Sequence, residues 1–254
     1  PINGTDGPVN ALKFDARPSE LYVGGQFVQA GGQPMSHIGE WHLSDSSWHP
    51  FGTGTSHTTV NTLLVSDISK NLYVGGDFTQ AGGQFANYIA QWNGTNWSAL
   101  SDGTDNGVSA NVLALVLGGN TLYAGGVFNF IGDGGTRRTT NRIAQWDRAN
   151  GTWSALDNGV ANGVNGHVLA LAYNSTHDWL AVGGDFNTGS ANPLTACLAI
   201  WSKSQNAWVP VTVQPTAFVD NRCEIKALAW MGDELYVGGF GLAANNTDPD
   251  NYLL

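Results

Sequence analysis

Histidines and acids are the residues of this chain with the widest chemical reach, and they are unevenly spread. His37, His42, His49 and His57, four of the six histidines, crowd the first repeat, where imidazoles could hold a transition metal. On an extended strand, however, His37 and His42 are an odd number of residues apart and project from opposite faces. No metal ligand set is assigned to them. Asp102-Gly-Thr-Asp-Asn-Gly107 and Asp157-Asn-Gly159 offer oxygens to Ca²⁺, whose sites want about six to eight. They lack the spacing of an EF-hand loop and read as Asx turns, so no cofactor is expected. Asp77 and Asp185 follow Gly-Gly in two repeats where Gln26 and Val127 stand in others, which suits backbone capping better than a shared charged role.

Arg137, Arg138 and Arg142 form the one basic cluster, at the end of the longer loop Ile131–Arg138. A loop that differs from its counterparts is a candidate partner contact. Cys197 and Cys223 are the only cysteines, too few for a zinc motif. They are either two buried thiols or a disulfide, which would require Cα atoms within about 7 Å and would imply an oxidising compartment. Six Asn-x-Ser/Thr sequons occur, at Asn3, Asn93, Asn96, Asn150, Asn174 and Asn245. All but Asn96 fall in predicted turns, where a glycosylating enzyme has access. No nucleophile, base and oxyanion donors converge, so no catalytic residues are assigned.

The elements that must position these residues are repeated. Leu21-Tyr-Val-Gly-Gly-Gln-Phe27 returns as Leu72–Phe78, Leu122–Phe128, Leu180–Phe186 and Leu235–Phe240, with Gly24, Gly75, Gly125, Gly183 and Gly238 at intervals of 50 to 58 residues. That period belongs to propeller blades. Four strands per repeat follow from alternation and turns: one led by Val9, Val60, Val112, Val168 or Ile225; the Gly-Gly strand; one ending at Trp41, Trp92, Trp146 or Trp201; and one beginning at Trp48, Trp97, Trp153 or Trp208. Asn93-Gly94 and Asn150-Gly151 supply the tight hairpins between the last two. The third strand is apolar or large on both faces, as in a sheet covered by neighbours on either side, and Gln91, Gln145 and Glu40 on it each need a hydrogen-bond partner.

The expected fold is all-β, a β-propeller of four-stranded antiparallel blades, with approximate repeats 9–58, 59–108, 109–164, 165–219 and an incomplete 220–254. Two strands of the last repeat are missing, so the chain reads as a portion of a longer protein. Thirty-four glycines and only 12% charged residues fit short strands and tight turns. Ten Lys and Arg against twenty acids, a formal charge of -10, would repel a phosphate backbone, and nucleic acid is excluded as a partner. No stretch approaches the roughly 18 apolar residues that span a bilayer.

The Gly-Gly strand followed by Trp on the third and fourth strands resembles the kelch repeat, and Asp147-Arg-Ala-Asn-Gly-Thr-Trp153 is similar to that family's turn. Trp replaces the usual Tyr, and the extra Gly31-Gly32 and Gly82-Gly83 depart from it. Leu-Tyr-Val-Gly-Gly-x-Phe with Ile-Ala-x-Trp-Asn-Gly and Trp-Ser-Ala-Leu resembles repeats of large secreted or surface proteins, including fungal cortical polarity markers. That resemblance implies a non-enzymatic extracellular scaffold within a larger glycoprotein, mediating assembly or adhesion through other protein modules or copies of itself. The alternative is a carbohydrate-binding propeller, which needs exposed Trp to stack on glycans. A kelch-type oxidase or hydrolase is the least favoured reading: galactose oxidase carries copper on such a scaffold, but no matching Tyr and His set is present.

Overall fold

A computed structural model describes residues 4–16, 19–56, 58–67, 69–103, 106–132, 137–159, 162–186, 196–210 and 223–241. Every regular element among them is a β-strand. Consequently no helix is long and apolar enough to cross a membrane.

Four sheets repeat one plan, each a meander of four strands. Sheet 1 is Val9–Asp15, Glu20–Gly25, Ile38–His42 and Ser47–Pro50; sheet 2 is Thr59–Val65, Leu72–Asp77, Ile89–Trp92 and Trp97–Ala99. Sheet 3 is Val112–Gly118, Thr121–Gly126, Ile143–Asp147 and Thr152–Ala155; sheet 4 is Val168–Asn174, Trp179–Gly184, Leu198–Ser202 and Ala207–Val209. A fifth pair, Glu224–Met231 with Glu234–Phe240, follows. Residues 242–254 lie outside the described residues. Compact packing divides the chain into one unit of Pro1–Leu115 with Gly132–Arg137 and another of Val116–Ile131 with Arg138–Leu254.

Within each unit the diglycine explains how one sheet meets the next. A Cβ on Gly24 would stand 2.4 Å from Val60 Cγ1, and one on Gly75 2.6 Å from Val112 Cγ1. In the second unit Gly125 meets Val168 at 2.3 Å and Gly183 meets Ile225 at 2.4 Å. The first glycine is thus a socket for the β-branched residue opening the following sheet. The second glycine faces its own sheet: a Cβ on Gly25 would lie 2.1 Å from the Pro8 carbonyl, and on Gly76 2.3 Å from that of Thr59. There the first strand carries a bulge, between Val9 and Ala11 and between Val60 and Thr62, which pushes a carbonyl towards the glycine. The Phe after each diglycine, Phe27, Phe78, Phe128 or Phe186, is buried.

The tryptophans pair directly across strands: Trp41–Trp48, Trp92–Trp97, Trp146–Trp153 and Trp201–Trp208, with ring centroids 5.2 to 5.5 Å apart. All eight are buried or half-buried, and each removes on the order of 150–250 Å² from water. They serve the core and do not form the exposed aromatic platform that sugar binding requires. The extra diglycines Gly31-Gly32 and Gly82-Gly83 turn small hairpins, Gln29–Ala30 with Gln33–Pro34 and Gln80–Ala81 with Gln84–Phe85. All four glycines have positive φ.

Candidate functional site

The densest group of titratable side chains lies at the strand ends of sheet 1. Antiparallel register sets Glu20 opposite His42, Tyr22 opposite Glu40, and Glu40 opposite His49. Alternation puts these residues on one face. His42 Nε2 lies 3.5 Å from Glu20 Oε1 and 3.4 Å from Glu40 Oε1. The nitrogen is buried and has no hydrogen-bond partner.

Each neighbour fixes one part of this arrangement. The Tyr22 hydroxyl donates to Glu20 Oε2 at 3.1 Å, which leaves Oε1 for His42. The His42 and His49 rings stack with centroids 3.9 Å apart, and His49 Nε2 meets Ser47 Oγ at 2.7 Å. Ser47 in turn donates to Asp45. Burial and the adjoining Glu20 push the Glu40 carboxyl up to about 8, because two carboxylates at one site resist ionising together. Burial and the same two glutamates raise the Tyr22 phenol far above its ordinary range.

Among the described residues, two sets have donor atoms close enough to hold one metal ion: Glu20, Glu40 and His42, and His42, Asp45 and His49. Sequence reading placed His42 and His49 in the first repeat and asked for a partner for Glu40. It missed Glu20 and Asp45, since only cross-strand register brings Glu20 to His42. His37 sits just before the third strand at φ 74; His57 lies outside the described residues.

The same positions in sheet 3 line a cleft of about 250 Å³, formed by Thr121, Gln145, Asp147, Thr152 and Ser154 with Trp201, Lys203 and Asn206. Its polar groups are hydroxyls, amides and one carboxylate with a lysine. In sheet 2 an amide pair occupies the place of Glu20 and Glu40, with Asn71 Nδ2 donating to Gln91 Oε1 at 3.3 Å.

Other sites named from sequence resolve individually. Cys197 and Cys223 are joined by a disulfide, with Cα atoms 6.0 Å apart; it ties the residue before Leu198–Ser202 to the residue before Glu224–Met231. Asn93, Asn96 and Asn150 are exposed in hairpin turns. Asn93 Oδ1 accepts from the Thr95 and Asn96 amides, and the Asn150 side chain donates to Asp147. Asn174 departs from expectation. It closes the strand Val168–Asn174 and is 3% exposed, with its Nδ2 donating to the Gly232 carbonyl at 2.9 Å. Asn3 and Asn245 lie outside the described residues.

Arg138 Nη1 donates to the Trp153 carbonyl at 2.6 Å, and Arg142 donates to the Val127 carbonyl. Arg137 and Arg138 are exposed. Asp157 Oδ1 accepts from the Gly159 amide at 2.7 Å, an Asx turn, while Thr104 and Asp105 of the other acidic turn are outside the described residues. Asp185 accepts from the His167 amide and ring, and Asp77 from Thr58.

An all-β chain of repeated four-stranded blades is the class this fold defines, and the comparisons with known proteins agree. No family model matches. The chain is 26% identical over 220 residues to polarized growth protein L1 of Phoma sp., covering 82% of this chain and 15% of that protein. It is 26% identical over 163 residues to polarized growth protein rax2 of Schizosaccharomyces pombe, covering 61% and 13%. The chain therefore spans about one seventh of the length of these relatives. Solved structures share its fold: a chain of the nidogen/laminin complex (TM-score 0.55, 12% identity, 91% of this chain and 72% of that one) and the RRP9 WD40 repeats (0.55, 13%, 93% and 61%). The designed Ika8 protein is a third (0.56, 15%, 93% and 57%).

Proposed function

We propose that this chain is a non-enzymatic extracellular interaction module: propeller blades within a larger secreted or surface glycoprotein that serves assembly or adhesion at sites of polarized growth. The observation that carries this reading is the first strand of sheet 1. Val9, Leu12 and Phe14 are 41%, 61% and 50% exposed, whereas Val60, Leu63 and Val65 at the same positions of sheet 2 are buried. Wherever such a strand is covered, a diglycine covers it. The partner this face fits is the Gly-Gly strand of another blade of the same repeat.

Distant relatives named for polarized growth support the surface role, and the disulfide suits an oxidising compartment. The exposed sequons Asn93, Asn96 and Asn150 suit a glycoprotein. Thiol labelling tests the assembly: a Leu12→Cys variant is expected to react with maleimide in the isolated chain and to be protected in the full-length secreted protein. Equal reaction in both would refute the covered face. A mass loss on glycosidase treatment of the secreted protein is the expected sign of attached sugar.

A further inference from the structure

We propose that Glu20, Glu40 and His42 form a binding site for a divalent transition-metal ion of the zinc type. Three donors converge there from two strands: one imidazole nitrogen and one oxygen from each of two carboxylates. Their Nε2 to oxygen separations, 3.5 and 3.4 Å, are too long for hydrogen bonds. They match the edge of a tetrahedron around zinc, about 3.4 Å for ligand bonds near 2.1 Å. His42 Nε2 is buried without a hydrogen-bond partner, its nearest polar neighbours being the two carboxylates that would share the ion with it.

The surrounding groups behave as supports for such a site. Tyr22 holds the oxygen of Glu20 that points away from His42, and the stacked His49 ring fixes the plane of His42. Outer hydrogen bonds of this kind orient metal-binding carboxylates and imidazoles. The neighbouring set through Asp45 and His49 is already engaged by Ser47, whereas no hydrogen bond occupies His42 Nε2. Two carboxylates and one imidazole, with a fourth position left to solvent, suit zinc and its borderline neighbours rather than Ca²⁺.

The repeat provides an internal control. Sheet 2 carries Asn71, Gln91 and Asn93 where sheet 1 carries Glu20, Glu40 and His42; Gln91 holds the same strand position as Glu40, while Asn71 and Asn93 flank the strands Leu72–Asp77 and Ile89–Trp92. Glu40→Gln and His42→Asn therefore install residues this fold already accommodates.

The experiment is a competition titration of the tag-free, chelator-stripped chain with Zn²⁺ against a chromophoric chelator, with Co²⁺ absorption reporting ligand geometry. One equivalent of Zn²⁺ bound at micromolar affinity or tighter is expected, with a tetrahedral Co²⁺ spectrum. Each of Glu40→Gln and His42→Asn is expected to weaken binding by at least about tenfold, and Tyr22→Phe by less. Absence of stoichiometric Zn²⁺ uptake by the wild-type chain would overturn the proposal. So would unchanged affinity in both ligand variants, or a loss confined to Asp45→Asn. Circular dichroism on each variant separates loss of ligand from loss of fold.

Discussion

Sheets 1 and 2 share three backbone and packing devices, yet their side chains differ at two places. Both have the bulged first strand, the diglycine socket and the paired tryptophans. At the strand ends sheet 1 carries Glu20, Glu40, His42 and His49, while sheet 2 carries Asn71, Gln91, Asn93 and Ser98. On the first strand Leu12 and Phe14 are exposed, while Leu63 and Val65 are buried. What the repeat holds constant builds the blade; what it lets vary in sheet 1 is a face and a cluster of titratable groups. The constant part identifies the fold, and the variable part carries the chemistry proposed above.

Truncating the two equivalent leucines gives the largest expected contrast. Leu63→Ala should cost about 3 kcal/mol of unfolding free energy, as buried leucines do, and Leu12→Ala less than about 1 kcal/mol. Urea denaturation measures both, and equal losses would show that Leu12 is covered in solution. Filling the sockets should instead treat the sheets alike. Gly24→Ala and Gly75→Ala each force a methyl against a valine, at a cost of about 2 kcal/mol, and a large difference between them would mean that the two sockets are not equivalent.

A transplant sharpens the comparison further. Asn71→Glu, Gln91→Glu and Asn93→His together should give sheet 2 a second zinc equivalent, read by the same chelator competition, in a chain whose first site is intact. A pH-dependent effect concerns Glu40 alone. Its carboxyl is raised from the ordinary 4.5 to about 8 in the folded chain, so its contribution to stability is full below the unfolded value and is lost as pH rises through the folded one. With chelator present, Glu40→Gln should match the wild type near pH 4 and become progressively the more stable of the two between about pH 4.5 and 8, with no further gain above. A pH-independent difference between them would contradict this.

Much of the blade was legible because its signals are local and repeated. Gly24-Gly25 cannot be anything larger without striking Val60 and Pro8, so the requirement leaves its mark in every repeat. The site was only half legible, because parity along one strand separates His37 from His42 but is silent on what lies across the sheet. Glu20 reaches His42 through register alone. Asn174 misled for a different reason: its sequon suggests a surface turn, but the carboxamide is used to close a strand end, accepting from Thr176 and His177.

The disulfide gives the chain a mechanical character. Were the protein pulled from both ends, load would pass through the sulfurs and bypass the chain between them. Rupture of that region would release roughly 82 Å less length than in the reduced chain, from about 3.4 Å per residue over a separation of 26 less the 6.0 Å that the bridge already spans, so the bond acts as a limit on how far this part of the molecule can stretch.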